Sequence, residues 1–370
     1  VAGWSADRRD LSGQATACSP LPVLLELIMN PCLRIRVRTL GALGLTALIV
    51  ACGGGGGGGS GGTENPRGIV GAAAANPTLS SFSKALAYAS QSNDLVNTLS
   101  GPGSFTVFAP NNAAFDALAV ELLGPGKTVN DLLVPGNEAF MRSVLQYHVL
   151  ATRLVKSGMQ LGRSIEPILG NNAFFKIDSL AGSAVLFDGR GRASGIESFN
   201  VDTSNGVIHI ITKLMLPADQ PIFAQATDQP QLSSLVAALR LASDNEDLIR
   251  LLSLPGRYTL FAPTNAAFDA LAVEWLGAGN TAAELLVPAN KALVRTVLEY
   301  HLLGSRLLRA ELPAGQPLDP VLAGNASFTV NAGALTVTDA RNRIAAVSST
   351  DLFANNGVVH QLSTVILPPQ

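Results

Sequence analysis

The chain has 370 residues, 47% hydrophobic and 14% charged, which is long enough to bury two independent cores. Its formal net charge of −2, with no Lys/Arg-rich stripe, lacks the electrostatic footprint of a nucleic-acid binder, so no nucleic-acid partner is expected. The cysteines are Cys18, Cys32 and Cys52 alone, so the remainder of the chain has no disulfide, thiol nucleophile or thiolate metal ligand to offer.

At the N-terminal end, Arg34, Arg36 and Arg38 precede an apolar stretch, residues 39–50, interrupted only by Gly and Thr. The stretch is too short for a permanent transmembrane helix and has the length of a signal-peptide core. It ends Leu48-Ile49-Val50-Ala51-Cys52, which resembles the lipobox of bacterial lipoproteins. That resemblance implies diacylation of Cys52 on sulfur, with cleavage leaving Cys52 as the first mature residue. The alternative is an ordinary secretory peptide with an incidental cysteine. On the lipobox reading, 29–52 is the signal peptide, Met29 is the start and residues 1–28 are an upstream extension. Gly53 is not the Asp that resembles an inner-membrane retention signal, so in a Gram-negative envelope the outer membrane is expected. The abundance of Arg over Lys, with much Ala and Gly, fits a GC-rich bacterial genome.

Residues 53–62 are glycine broken once by Ser60. Such a run does not pack, and the segment 53–67 is expected to be a coil with a reach of roughly 20 Å, a tether for a folded body.

Beyond the tether the chain repeats itself. TVFAPNNAAFDAL from Thr106 returns as TLFAPTNAAFDAL from Thr259, an offset of 153 residues. The same offset carries Tyr147-His148 onto Tyr300-His301, and NGVIH from Asn205 matches NGVVH from Asn356 at an offset of 151. This period is far above the roughly 20–50 residues of solenoid or propeller units and has the size of a domain. The copies run over 68–217 and 221–368, joined only by Ala218-Asp219-Gln220.

Each copy begins helical. Leu232, Leu235, Val236 and Leu239 keep helical spacing, followed by Leu248, Leu251 and Leu252. Short strands are expected at 104–109 and 258–262, stopped by Pro110 and Pro263. Asn111-Asn112 and Thr264-Asn265 then cap a helix whose buried face is Phe115, Leu118, Ala119 and Leu122, repeated as Phe268, Leu271, Ala272 and Trp275. Asp116 and Asp269, near its start, complement the helix dipole. A further helix carries Phe140, Val144, Leu145 and His148, matched by Leu293, Val297, Leu298 and His301. The back half turns to strand patterning at 174–177, 184–187 and 207–216, and at 328–330, 335–338 and 358–367. The fold class is therefore α+β, with helices packed on antiparallel strands.

The FAPxNAAF motif, the Tyr-His pair and the NGV-[IV]-H motif before a strand ending in Leu-Pro, all present twice, together resemble the fasciclin (FAS1) domain. The resemblance spans nearly all of 68–368. It implies two tandem fasciclin-like domains, each a β-wedge of about seven strands packed with several helices. It further implies an extracellular or periplasmic place, a role in adhesion or matrix contact, and no common catalytic activity.

The four histidines, His148, His209, His301 and His360, sit among apolar neighbours with no carboxylate at ligand spacing. They are expected to be core groups bonded to backbone, or to Asn112 and Asn265 of the FAPxN motif, with Tyr147 and Tyr300 beside them. No metal, no cofactor and no enzyme activity is expected, since no nucleophile–base pair stands out. The tips Asp188-Gly189-Arg190-Gly191-Arg192 and Asp339-Ala340-Arg341-Asn342-Arg343 read as solvated hairpins, with Arg190, Arg192, Arg341 and Arg343 as candidate interaction residues. The expectation is a lipid-anchored envelope protein, periplasmic or surface-exposed, whose partners are the membrane and a protein or polysaccharide of the matrix or a neighbouring cell. The alternative is a carrier or sensor for a small apolar ligand or a polysaccharide.

Overall fold

The structure is a computed structural model and describes residues 67–90, 94–244, 247–324 and 326–370. The lipobox with Cys52, the tether up to residue 66 and the segment 1–28 lie outside the described residues.

The first copy opens with helices α1 (Ile69–Ala75), α2 (Ser80–Ala89) and α3 (Asp94–Ser100). Phe82, Ala85, Leu86 and Ala89 of α2 recur at helical spacing, and all four are buried. Strand β1 (Phe105–Pro110) follows, then α4 (Asn112–Leu123), α5 (Val129–Leu132) and α6 (Glu138–Tyr147). The remaining strands are β2 (Val149–Leu150), β3 (Ser164–Ile165), β4 (Phe175–Leu180), β5 (Ser183–Phe187), β6 (Ala193–Thr203) and β7 (Gly206–Ile211). They make one seven-stranded sheet in the order β2-β1-β7-β6-β5-β4-β3. Every pairing is antiparallel except β1 with β7, which is parallel. The exception follows from connectivity. Between β1 and β7 the chain passes through three α-helices and five strands, the long crossover that a parallel pair needs.

The second copy rebuilds this. Helices α7 (Ile222–Thr227), α8 (Ser233–Ala242) and α9 (Asp247–Leu251) lead to β8 (Tyr258–Pro263), then to α10 (Asn265–Leu276), α11 (Ala282–Leu285) and α12 (Lys291–Tyr300). Strands β9 (Leu302–Leu303), β10 (Pro317–Leu318), β11 (Phe328–Asn331), β12 (Thr336–Thr338), β13 (Ile344–Ala354) and β14 (Gly357–Leu362) complete a sheet of the same topology.

Strand β6, eleven residues long, bends the sheet. Its first residues pair with β5 and the rest with β7, with register shifts between Ile196 and Ser198 and between Ser198 and Val201. Such bulges kink a strand and increase its twist. Asn200 lies there with φ 56°, and its counterpart Asp351 on β13 has φ 58°.

Each sheet separates two cores. In the first copy Phe82, Leu99, Phe115, Val144 and Leu145 pack with Val107 and Ala109 on the helical side. Phe108, Tyr147, Phe175, Leu186 and Met215 pack on the other side. β1 alternates between the two, as the two-residue period of a strand dictates.

Three local expectations differ. Leu293 is 42% exposed, whereas Val297 and Leu298 behind it are buried. Leu122, Phe140 and Trp275 are only half-buried. The expected strand 207–216 ends at Ile211, although Leu214, Met215 and Leu216 stay buried. The ladder stops because side chains take the next N–H groups. Lys213 N donates to Ser194 Oγ (2.9 Å), Met215 N to His148 Nε2 (2.9 Å) and Leu216 N to Asp188 Oδ2 (2.9 Å).

Candidate functional site

The histidines are the first candidates for chemistry. His148 ends α6 and is fully buried. Its Nδ1–H donates to Val144 O at 2.7 Å, and its Nε2 accepts from Met215 N at 2.9 Å. A carbonyl only accepts and an N–H only donates, so one neutral tautomer is fixed. His301 repeats this with Val297 O (2.6 Å) and Ile366 N (3.1 Å). Burial pushes both imidazoles down to about 4. His209 and His360 use the opposite tautomer. Nε2–H donates to Leu154 O (2.8 Å) or Leu307 O (2.9 Å), and Nδ1 accepts from Asn200 N or Asp351 N at 3.2 Å. Burial lowers these two as well. All eight ring nitrogens are committed to the backbone, which leaves none for a metal or a proton in transit. Among the described residues no group of three His, Cys, Asp or Glu side chains is placed to hold a metal ion.

The motif asparagines do not reach the histidines. Asn112 Oδ1 accepts from Ser81 N (2.9 Å) and its Nδ2 donates to Pro77 O (2.9 Å), tying the start of α4 to the start of α2. Asn265 does the same with Ser234 N (2.9 Å) and Pro230 O (3.0 Å). The preceding residues differ: Asn111 caps α4 through Ala114 N at 2.9 Å, whereas Thr264 makes no side-chain cap. Asp116 and Asp269 cap the following helix rather than their own, accepting from Val129 N (2.9 Å) and Ala282 N (2.8 Å). Tyr147 Oη donates to Phe174 O and Tyr300 Oη to Ser327 O. Burial raises both phenols, Tyr300 to about 12.

The arginine tips are not free hairpins. Asp188, 1% exposed, organises the first. Its carboxylate accepts from Arg190 N (3.0 Å), Arg192 N (2.9 Å), Arg192 Nε (2.9 Å) and Leu216 N (2.9 Å). Arg192 also pairs with Glu121 at 2.8 Å, and Arg190 with Asp219 at 3.0 Å. In the second copy Asp339 accepts from Arg341 N, Arg343 N and Leu367 N, each at 2.9 Å. Arg343 pairs with Glu274 (3.2 Å), and Arg341 Nε donates to Pro368 O (2.8 Å). Arg192, Arg341 and Arg343 thus brace their own domains, while the exposed Arg190 reaches Asp219 in the segment joining the copies, so the tips are anchored rather than free. The physical reason is the buried aspartate, whose oxygens need donors and draw the loop over themselves.

Two asparagines passed over in the sequence matter as much. Asn205 Oδ1 accepts from Ile69 N (2.9 Å), and its Nδ2 donates to Leu99 O (2.8 Å) and Gly101 O (3.0 Å). Asn356 matches it with Ile222 N, Leu252 O and Leu254 O. The glycine after each is required because a Cβ on Gly206 would lie 2.2 Å from Phe105 O, and one on Gly357 2.1 Å from Tyr258 O. NG reads as a turn signal in sequence, but it is also the staple between sheet and helices.

Among the described residues, two spaces bear on ligand binding. The cleft between α10 and α12, lined by Phe268, Leu271, Trp275 and Leu293, leaves only about 10 Å³. An open groove of about 470 Å³ is lined by Leu161, Asp178, Arg309, Gly333 and Asp351. Beside it, Lys176 contacts Asp351 at 2.8 Å and Asp178 at 3.1 Å. Burial disfavours the lysine's charge, but the two carboxylates outweigh it and hold Lys176 above its ordinary value.

Comparison with known proteins agrees with this architecture. A profile described as Fasciclin domain matches residues 80–217 and 230–368. The chain is 38% identical over 160 residues to "Protein sll1483" of Synechocystis, covering 42% of this chain and 76% of that protein. It is 31% identical over 157 residues to "Cell surface glycolipoprotein MPB83" of Mycobacterium bovis, covering 41% and 62%. It is 25% identical over 281 residues to "Transforming growth factor-beta-induced protein ig-h3" of Oryctolagus cuniculus, covering 76% of this chain but only 37% of that protein. With a profile matched twice over most of its length, on two sheets of one topology, the chain belongs to the fasciclin domain family.

Proposed function

We propose that this chain is a lipid-anchored protein of a bacterial cell envelope, and that its two fasciclin domains serve adhesion or matrix contact. The observation that carries the reading is an order along the chain. A lipobox-like Leu48-Ile49-Val50-Ala51-Cys52 and a glycine tether stand directly before two domains of a family associated with adhesion. The similarity to a protein named a cell surface glycolipoprotein supports the anchor. Full commitment of the histidines to backbone bonds supports a binding role over a catalytic one. The test is expression from Met29 with a labelled fatty acid. Uptake of label by the wild type and its loss in Cys52→Ser is expected; equal label in both refutes the anchor.

A second reading, a carrier or sensor, is narrowed by the cavities. The nearly filled α10–α12 cleft argues against an apolar ligand there. The groove beside Asp178, Arg309 and Asp351 suits a polar ligand such as a polysaccharide. Retention of the protein on envelope polysaccharide, abolished by Arg309→Ser, would favour this reading.

A further inference from the structure

The two domains meet through a surface at which several residues differ between the copies. On the first domain Phe174 packs edge-on against Phe353 of the second, with ring centroids 5.1 Å apart. Leu308 and Val358 complete this apolar plug, and all four residues are buried. The Arg306 guanidinium lies 4.0 Å over the Phe174 ring, donates to Asn172 O (2.8 Å) and pairs with Glu166 (2.8 Å). Arg257 grips the same Glu166 at 2.6 Å. On the other flank Ser164 N donates to Glu311 (2.8 Å), and Lys176 pairs with Asp351 (2.8 Å). The lysine and aspartate side chains are only 12% and 5% exposed.

At the repeat offsets, several of the residues that make this contact are replaced on the outer faces, whereas Arg306 and Val358 recur as Arg153 and Val207. Phe174, Lys176 and Glu166 correspond to Ser327, Thr329 and Asp319 of the second domain. Glu311, Asp351 and Phe353 correspond to Gly158, Asn200 and Asp202 of the first. Arg153, the counterpart of Arg306, folds back on its own domain, where it pairs with Asp202 at 2.5 Å and donates to Gly206 O at 2.6 Å. In the second domain Phe353 stands at that aspartate's position, so Arg306 reaches across to Glu166. The contact is heterologous, one domain's β3–β4 face on a different face of the next. A heterologous contact propagates only where both complementary faces recur.

We infer that these two faces are a built joint that holds the domains as a fixed pair, and that the outer faces do not repeat it. The pair therefore neither comes apart nor extends into a head-to-tail string of chains. The inference does not depend on the adhesion reading.

The experiment uses the full chain with Cys52→Ser and a protease site inserted between Asp219 and Gln220. After cutting, the halves are expected to co-elute in size-exclusion chromatography at micromolar concentration, and the uncut chain to run as a monomer. The decisive variant is Phe174→Ser, Lys176→Thr, Asp351→Asn. Each replacement is the residue that the other copy of the same fold already carries. In domain 1 Asn200 Oδ1 accepts from Lys156 N (2.9 Å), just as Asp351 Oδ1 accepts from Arg309 N (2.8 Å), so the asparagine keeps the local bond. Circular dichroism should stay native while the halves part at concentrations at least roughly tenfold higher than for the wild type. Wild-type halves that separate, folded or not, overturn the joint. Variant halves that stay together as tightly as the wild type overturn its assignment to these residues. Concentration-dependent oligomers of the uncut wild type overturn the capped outer faces.

Discussion

The first and second domains are the same machine wired differently at one surface. Inside, they agree atom for atom at the positions that matter. His148 and His301 make the same two backbone bonds, as do His209 and His360, and Asn205 and Asn356 staple the same elements. Outside, the same arginine position does opposite jobs: Arg153 closes onto its own domain, and Arg306 crosses to the other. Shared residues therefore report how a fasciclin domain stands up. Unshared ones report what this chain does with two of them.

The buried aspartates give the largest expected break in that likeness. Asp188→Ala removes the acceptor of four bonds, leaves Arg192 only Glu121 and Leu214 O, and orphans the buried Leu216 N, at a cost of about 3–5 kcal/mol. Asp339→Ala should cost about 1 kcal/mol less, because among the described residues only backbone N–H groups donate to Asp339. Urea unfolding of each single variant measures the gap, and equal losses would mean that Arg192 contributes nothing.

The histidines should show no such asymmetry. His148→Ala and His301→Ala are each expected to destabilise their own domain by about 1–3 kcal/mol, through a lost buried hydrogen bond and a cavity. Their folded values, near 4, lie below the ordinary value of 6.5. The unfolded chain therefore binds more protons than the folded one in between. Stability is fully present above about pH 6.5 and is lost as pH falls toward 4. A pH titration of the urea midpoint that stayed flat across this window would contradict the buried neutral rings.

Arg306→Lys should then separate the two copies. It forfeits the stacking on Phe174 and the fork onto Glu166 and Asn172 O, about 1–2 kcal/mol at the joint. Arg153→Lys loses a fork onto the exposed Asp202 and Gly206 O but no ring stacking, and should cost about 0.5 kcal/mol. Similar effects in both would make the crossing of Arg306 energetically irrelevant.

A small effect is also expected at the tips. Arg341→Ser with Arg343→Ser should lower stability by about 0.5–1 kcal/mol and leave matrix retention unchanged, since both side chains serve their own domain. Loss of retention with folding intact would return these residues to the interaction surface.

Much of the fold was legible in the sequence because the repeat marked it. Strand β4 alternates, β1 and β5 are short apolar runs, and α4 and α10 carry their apolar residues next to capping residues. Strand β6 was not legible: two bulges break its alternation, so Ala193-Ser194-Gly195-Ile196-Glu197-Ser198 shows no strand period. Asp188 and Asp339 looked like turn residues because an Asp opening a tip is ordinary, and only depth distinguishes them. The joint lay hidden for a different reason. Matching positions draws the eye to what is shared, and the joint is built from Phe174/Ser327, Lys176/Thr329 and Asp202/Phe353, where the copies disagree. Apolar or charged residues facing small polar ones at the same repeat position were the available signal.

Calorimetric unfolding of the intact chain, wild type beside the Phe174→Ser, Lys176→Thr, Asp351→Asn variant, tests the account most directly. Two domains held by a built joint should unfold in one transition whose van't Hoff enthalpy approaches the calorimetric value. The variant should split it into two transitions, one per domain. Two resolved transitions in the wild type, at the same temperatures as in the variant, would contradict the claim that the unshared residues bind the copies into a pair.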